Sequence, residues 1–125
     1  MPLNEFGFER LEVWKKTRKV KQELSVLSRK FPPEEKFRLT DQITRSSRSV
    51  GSLISEGHGR FTFADQLHFC IQARGSLSET MNHLIDALDA SYISELQLEE
   101  FREKLKEIER ILNGYMNFLR KQRDA

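Results

Sequence analysis

The chain has a single cysteine, Cys70, and one thiol closes no internal disulfide. A reducing compartment is therefore its natural setting, and a cytoplasmic location is expected. Three prolines and six glycines are too few for a collagen-like or low-complexity chain. No apolar run approaches the roughly 20 residues of a membrane span, and the opening MPLNEFGFERLEVW has neither a basic start nor a continuous apolar stretch, so no membrane segment is expected. Excess charge is missing too. With 21 basic and 19 acidic side chains the net charge is only +2, which excludes a polycation that coats nucleic acid by bulk charge.

What is present is helical periodicity. Over residues 9–31, Val13, Thr17, Val20, Leu24, Leu27 and Phe31 alternate steps of four and three, the pattern of one buried helical face, with Leu11 and Trp14 widening it. Pro32-Pro33 stops this helix, and Pro33 followed by Glu34-Glu35 makes a good first turn for a second one over 33–57. Thr62 with Asp65, and Ser94 with Gln97, have the spacing of capping boxes and predict helices over 62–90 and 94–121. The third seam runs through Phe63, Leu67, Cys70, Arg74, Leu77, Met81, Leu84 and Leu88. The fourth runs through Leu98, Phe101, Leu105, Ile108, Leu112, Tyr115 and Leu119. Short links force neighbouring helices to run antiparallel. An all-α, up-down-up-down antiparallel four-helix bundle is expected, one domain across residues 1–125, with residues 1–7 and 121–125 frayed.

The second helix carries the most information. Leu39, Ile43, Val50 and Leu53 face a core, while Ser46, Ser47, Ser49, Gly51, Ser52 and Ser55 leave little bulk, which suits a close helix neighbour or a polar seam for another subunit. Arg38, Arg45 and Arg48 form a separate cationic edge. The first helix has its own basic strip in Lys15, Lys16, Arg18, Lys19 and Lys21. Charge is unevenly spread: residues 9–31 hold eight basic and three acidic groups, residues 61–90 one basic and four acidic. These eight cations are the candidate phosphate contacts, with solvated helix faces or intersubunit ion pairs as the plainer reading.

Other constellations point to structure rather than chemistry. Arg74 interrupts an apolar seam and needs a carboxylate, Glu79 or Glu56, across a helix pair or a subunit boundary, with Gly75-Ser76 allowing close approach; an RNA-facing Arg74 is the alternative. Glu56, His58, Glu79 and His83 do not have the Glu-x-x-His spacing of a di-metal bundle, so neither metal nor cofactor is expected. His68 reads as a surface or seam residue. Ser46, Ser47 and Ser49 have no histidine nearby and Cys70 reads as core, so no catalytic set is visible and enzyme activity is not expected. Trp14, Phe61, Phe63 and Phe69 read more readily as core or subunit contact than as platforms for bases.

A wider pattern joins these features. Phe8, Leu11, Val13 and Trp14 at the start, then Lys30, Phe31, Pro32, Glu34, Glu35, Phe37 and Leu39 at the first link, are followed by Gln42, Ile43, Arg45, Ser46, Ser49 and Val50. Ile54, Glu56, Gly57, Gly59 and Arg60 close the second helix, Ala73 to Leu77 with Glu79 mark the third, and Leu112-Asn113-Gly114 the fourth. In these residues, from Phe8 to about Lys121, the chain resembles the bacterial four-helix-bundle family named for proteins encoded within intervening sequences of 23S ribosomal RNA genes. It departs from that pattern at Gly51 and Leu53, where the family usually has proline and asparagine.

The resemblance implies a left-handed antiparallel bundle, a ring-like homo-oligomer of five subunits, a nucleic-acid connection, and Gly57 as part of a structural helix end. A related branch of such bundles is the accessory protein of diversity-generating retroelements, a basic oligomeric barrel that works with a reverse transcriptase and its RNA. The expected function is thus a non-catalytic, homo-oligomeric protein that binds RNA or single-stranded nucleic acid. A protein-interaction adaptor, such as a reverse-transcriptase accessory subunit without direct RNA contact, is the competing reading.

Overall fold

Two side chains mark where helices begin. The Asp65 N–H donates to Thr62 Oγ1 at 3.1 Å, the Gln97 N–H donates to Ser94 Oγ at 3.1 Å, and Gln97 Oε1 accepts the Ser94 N–H at 2.9 Å. They open α3 (Phe63–Asp89) and α4 (Glu95–Asp124) in the computed structural model, which describes residues 4–125. Ahead of them lie α1 (Glu12–Ser28) and α2 (Leu39–His58). Among the described residues the only other regular elements are two 3₁₀ turns, Gly7–Arg10 and Pro33–Glu35.

Contacts between helices run in opposite chain directions. The Thr40 hydroxyl donates to the Ser28 carbonyl at 3.1 Å where α1 gives way to α2. Ser49 and Ser76 hydroxyls lie 3.0 Å apart, and Thr80 donates to Ser46 at 2.9 Å, stepping backwards along α2 as α3 advances. Lys16 meets Glu107 at 2.8 Å and Glu23 meets Lys104, which sets α1 against α4. Each helix therefore packs antiparallel to its chain neighbours and α4 closes on α1, the expected four-helix bundle. Leu24, Ile43, Ile54, Leu84, Ile108, Leu112 and Leu119 sit wholly inside. Burying such side chains supplies about 1.5–3 kcal/mol each, the main favourable term of the fold.

Several expectations of detail change. The first helix begins at Glu12, not residue 9, because Gly7–Arg10 form a separate turn in which the Glu9 carboxylate accepts the Phe6 N–H at 2.7 Å. It ends at Ser28, so Phe31 is buried from the link rather than from the helix. The second helix starts at Leu39 instead of residue 33. Phe37 is exposed and gives no apolar reason for earlier helix, Arg38 has non-helical dihedrals (φ −121°, ψ −106°), and the Glu35 carboxylate serves the later start, accepting the Leu39 N–H at 3.5 Å with one oxygen and the Tyr92 hydroxyl at 2.8 Å with the other. The fourth helix continues to Asp124, beyond the expected 121. Of the residues expected to fray, 1–3 lie outside those described.

The third seam is displaced. Its buried residues are Leu67, Cys70, Ala73, Leu77, Thr80, His83, Leu84 and Ala87, while Arg74 faces solvent. Ala73, Thr80 and Ala87 recur every seven residues, and small side chains there let α3 lie close to the serine-rich face of α2. Arg74 thus needs no internal counter-ion, and among the described residues it has none. Glu79 instead lies 3.0 Å from His83 Nε2, and Glu56 pairs with Arg60 at 3.1 Å, each within its own helical stretch. Gly75 is exposed with no neighbour close by, so it permits no close approach. Gly57 does: a Cβ there would fall 2.7 Å from Phe69 Cβ and 3.2 Å from the Gln66 carbonyl.

Candidate nucleic-acid interface

The basic strip of α1 is divided by the bundle into three directions. With Val13, Thr17, Val20 and Leu24 pointing inward, residues one step to one side face α4 and those one step to the other face α2. Lys16 goes to α4, where Glu107 holds it; that contact raises the Lys16 pKa and lowers that of Glu107, first through the hydrogen bond and then through charge. Lys19 lies on the same side and adds a smaller downward push on Glu107. Lys15 points outward. Arg18 and Lys21 go to the α2 side, where Arg48 meets them.

The α1–α2 surface is a groove with two hollows. The first, about 220 Å³, is lined by Phe8, Trp14, Thr17, Arg18, Lys21, Arg48, Gly51, Ser52 and Ser55. The second, about 290 Å³, is lined by Lys21, Gln22, Ser25, Arg29, Thr44, Ser47 and Arg48. Lys21 and Arg48 belong to both and so stand at the junction. Small residues on α2 keep the floor low, with Gly51 opposite Thr17 and Trp14: a Cβ built there would lie 3.5 Å from Thr17 Cγ2 and 3.7 Å from Trp14 Nε1. Phe8 meets Trp14 edge-on at 5.0 Å between ring centres, and the Arg18 guanidinium lies 5.9 Å from the indole centre.

The electrostatics of the groove follow from what is absent around it. No carboxylate among the described residues comes within ion-pair distance of Arg18, Lys21, Arg29 or Arg48. The Arg29 Nε donates to the Ser25 carbonyl at 3.2 Å, which fixes its stem and leaves its charge unneutralised. Of the other sequence candidates, Arg45 is tied to Asp41 at 2.9 Å although its side chain is 80% exposed, and Arg38 sits at the far end of α2. Of the eight candidates, the groove thus gathers Arg18, Lys21 and Arg48, and leaves Lys15, Lys16, Lys19, Arg38 and Arg45 elsewhere. It adds Arg29, Trp14 and Gln22, which were not among the expected phosphate contacts. The stripe 14, 18, 21, 25, 29 was readable as the row beside the core seam, with the same spacing.

Nucleophile chemistry finds little here. The Ser46 and Ser47 hydroxyls donate to the carbonyls of Ile43 and Thr44 at 3.4 and 3.2 Å, and Ser49 is held against Ser76. Burial pushes the Cys70 thiol up to about 11, so it is not a thiolate at neutral pH. Among the described residues no three His, Cys, Asp or Glu side chains converge to hold a metal ion. No helix is long and apolar enough to cross a membrane.

Residues 9–114 match the family described as 23S rRNA-intervening sequence protein. The chain belongs to that family. As an intervening-sequence protein it also has a solved structural relative, a protein of unknown function from the S23 ribosomal protein family of Bacteroides thetaiotaomicron VPI-5482. The two share 25% identity and superpose with a TM-score of 0.77 over 84% of this chain and 95% of the relative. No curated protein matches the chain. The groove of this intervening-sequence protein falls wholly inside the matched residues, apart from Phe8 at its edge.

Proposed function

We propose that this protein is a non-catalytic, cytoplasmic RNA-associated bundle whose α1–α2 groove takes the phosphates of an RNA strand. The observation that carries the reading is the convergence of Arg18, Lys21 and Arg48 on one concave surface with no carboxylate beside them. Cations left unpaired in a groove are available to displace the counterions of a polyanion, whereas Lys16 and Arg45 already have partners. Membership of a family named for 23S rRNA intervening sequences agrees with an RNA ligand. Assembly into a ring of five, which the family resemblance implied, would multiply one modest patch into a continuous basic surface.

The test is a filter-binding titration with structured RNA at several salt concentrations. Three or four phosphate contacts give a slope of log K against log salt of about −2 to −3. Lys21→Glu with Arg48→Glu is expected to abolish binding at physiological salt, while Lys15→Glu, outside the groove, leaves most of it. Equal binding by the Lys21→Glu/Arg48→Glu protein and its parent would overturn the reading.

One observation favours the adaptor reading as a second. Phe6, Phe61 and Phe118 are 72%, 100% and 50% exposed, and all lie towards the end of the bundle where α1 starts, α2 ends, α3 starts and α4 ends. Phe61 was expected in a core or subunit contact; in the single chain it has no cover. Exposed aromatic side chains at one end of the bundle suit another copy or a protein partner such as a reverse transcriptase. Retained pull-down of a polymerase by the Lys21→Glu/Arg48→Glu protein would support this adaptor role.

A further inference from the structure

The groove is not uniform along its length, and this asymmetry says what form of RNA it accepts. One hollow is aromatic, with Trp14 and Phe8; the other is polar, with the Gln22 amide and the hydroxyls of Ser25, Thr44 and Ser47. Their α1 residues are centred about five positions apart, which at 1.5 Å per residue puts the hollows about 8 Å from each other. Lys21 and Arg48, shared by both, stand between them. Duplex RNA offers a groove protein its backbone and keeps its bases stacked on one another, so an aromatic pocket beside the cations gains it nothing. A single strand has free base faces, and stacking them on an aromatic side chain is sequence-tolerant and favourable.

Deepening the proposed function, and resting on it, we infer that the α1–α2 groove binds single-stranded RNA as a two-nucleotide reader: one base stacks on Trp14 in the aromatic hollow, the linking phosphate lies on Lys21 and Arg48, and the next nucleoside is held by the polar hollow. Trp14 is half-buried, so the core fixes its ring while the groove keeps part of it open. Arg18 rests over the indole at 5.9 Å and rotates aside to a phosphate when a base arrives. Gly51 keeps the hollow open, since any longer side chain at that position would project into it.

Trp14 is the chain's single tryptophan, so its emission reports on this hollow alone. The full-length protein is titrated with a fluorescein-labelled eight-nucleotide oligouridylate, and separately with a blunt RNA duplex of equal charge. Label anisotropy reports binding; intrinsic fluorescence, read with the unlabelled strands, reports stacking. The single strand is expected to bind more tightly than the duplex and to quench Trp14. Trp14→Leu is expected to weaken the single strand about 5- to 150-fold, the range measured for losing one stacked base, with an unchanged salt slope, and Trp14→Phe to restore most of it. Gly51→Leu, which keeps both the reporter and a favourable helix residue, is expected to lose the quenching while circular dichroism stays that of the parent. Salt-dependent binding with unquenched Trp14, or a duplex bound as tightly as the strand, would overturn this inference and leave the proposed function standing. No anisotropy change with any RNA would overturn both.

Discussion

Two glycines that look alike in sequence act oppositely. Gly57 is buried where α2 ends, and a methyl group there would meet Phe69 Cβ at 2.7 Å, a distance that forces one helix to move. Gly57→Ala is expected to cost about 1–3 kcal/mol, the usual penalty for overpacking, read as a lower urea midpoint with unchanged slope. Gly75 lies mid-helix with open space around it, so Gly75→Ala removes unfolded-state freedom at no steric cost. A gain of about 0.5–1 kcal/mol is expected in the same measurement. Cys70 makes a second residue-scale test. With its thiol pushed up to about 11 and closed to solvent, it should resist alkylation at pH 8 until denaturant unfolds the bundle, then react at once.

At the scale of elements, the α2–α3 contact is knit by hydroxyls and the α1–α4 contact by charge. Ser46, Ser49, Ser76 and Thr80 satisfy one another inside a tight interface. Thr80→Val would remove the hydrogen bond that Thr80 donates to Ser46, whose own hydroxyl keeps its bond to the Ile43 carbonyl, at a cost of about 0.5–1.5 kcal/mol in urea unfolding. The Lys16–Glu107 pair lies in water and behaves differently. Glu107 has its pKa lowered, so its share of stability is present above the ordinary carboxylate range and is lost as pH falls through the folded value. Lys16 has its pKa raised, so its share is present below the ordinary lysine range and is lost as pH rises through the folded value. Glu107→Gln should therefore flatten the acid limb of the stability profile, and added salt should shrink the effect.

These elements also show how far a sequence can be read. Caps and four–three seams located α3 and α4 because Thr62, Ser94 and the leucines act locally, on their own turn of helix. The start of α2 was misread because Pro33-Glu34-Glu35 is a sound helix opening by local rules and does open a 3₁₀ turn; the break comes at Arg38, while Glu35 is shared between Leu39 and Tyr92, fifty-seven residues away. Arg74 was misplaced for a related reason. A seam through leucines and one through Ala73, Thr80 and Ala87 fit the same helix, and only the smooth face of α2 decides between them. Of the groove, the basic residues were legible one by one. Arg45–Asp41 is an i, i+4 pair within α2, but the loss of Lys16 to Glu107 and the gathering of Arg18, Lys21 and Arg48 were not legible, since they depend on how α1 sits between α2 and α4.

For the whole molecule, assembly is the property most open to measurement. If the exposed end phenylalanines meet a second copy, light scattering will give a mass that is a multiple of 14.7 kDa. Phe61→Ser with Phe118→Ser would then run as the single chain while keeping its circular dichroism. A parent protein that already scatters as one chain at high concentration would end the ring proposal.

The two walls of the groove are anchored in unlike ways. The α2 wall is fastened to α3 through hydroxyl contacts, one buried and one half-buried, while the outer edge of α1 is moored to α4 by Lys16–Glu107 and Lys104–Glu23 on the wet surface. Amide exchange should accordingly be slowest along α2 and α3 and quicker along α1, more so in concentrated salt. On the proposed function, a strand in the groove would lie between a wall held by hydroxyl contacts and one whose outer edge is held by exposed ion pairs, so the ionic conditions that weaken its hold on phosphate would weaken those pairs as well.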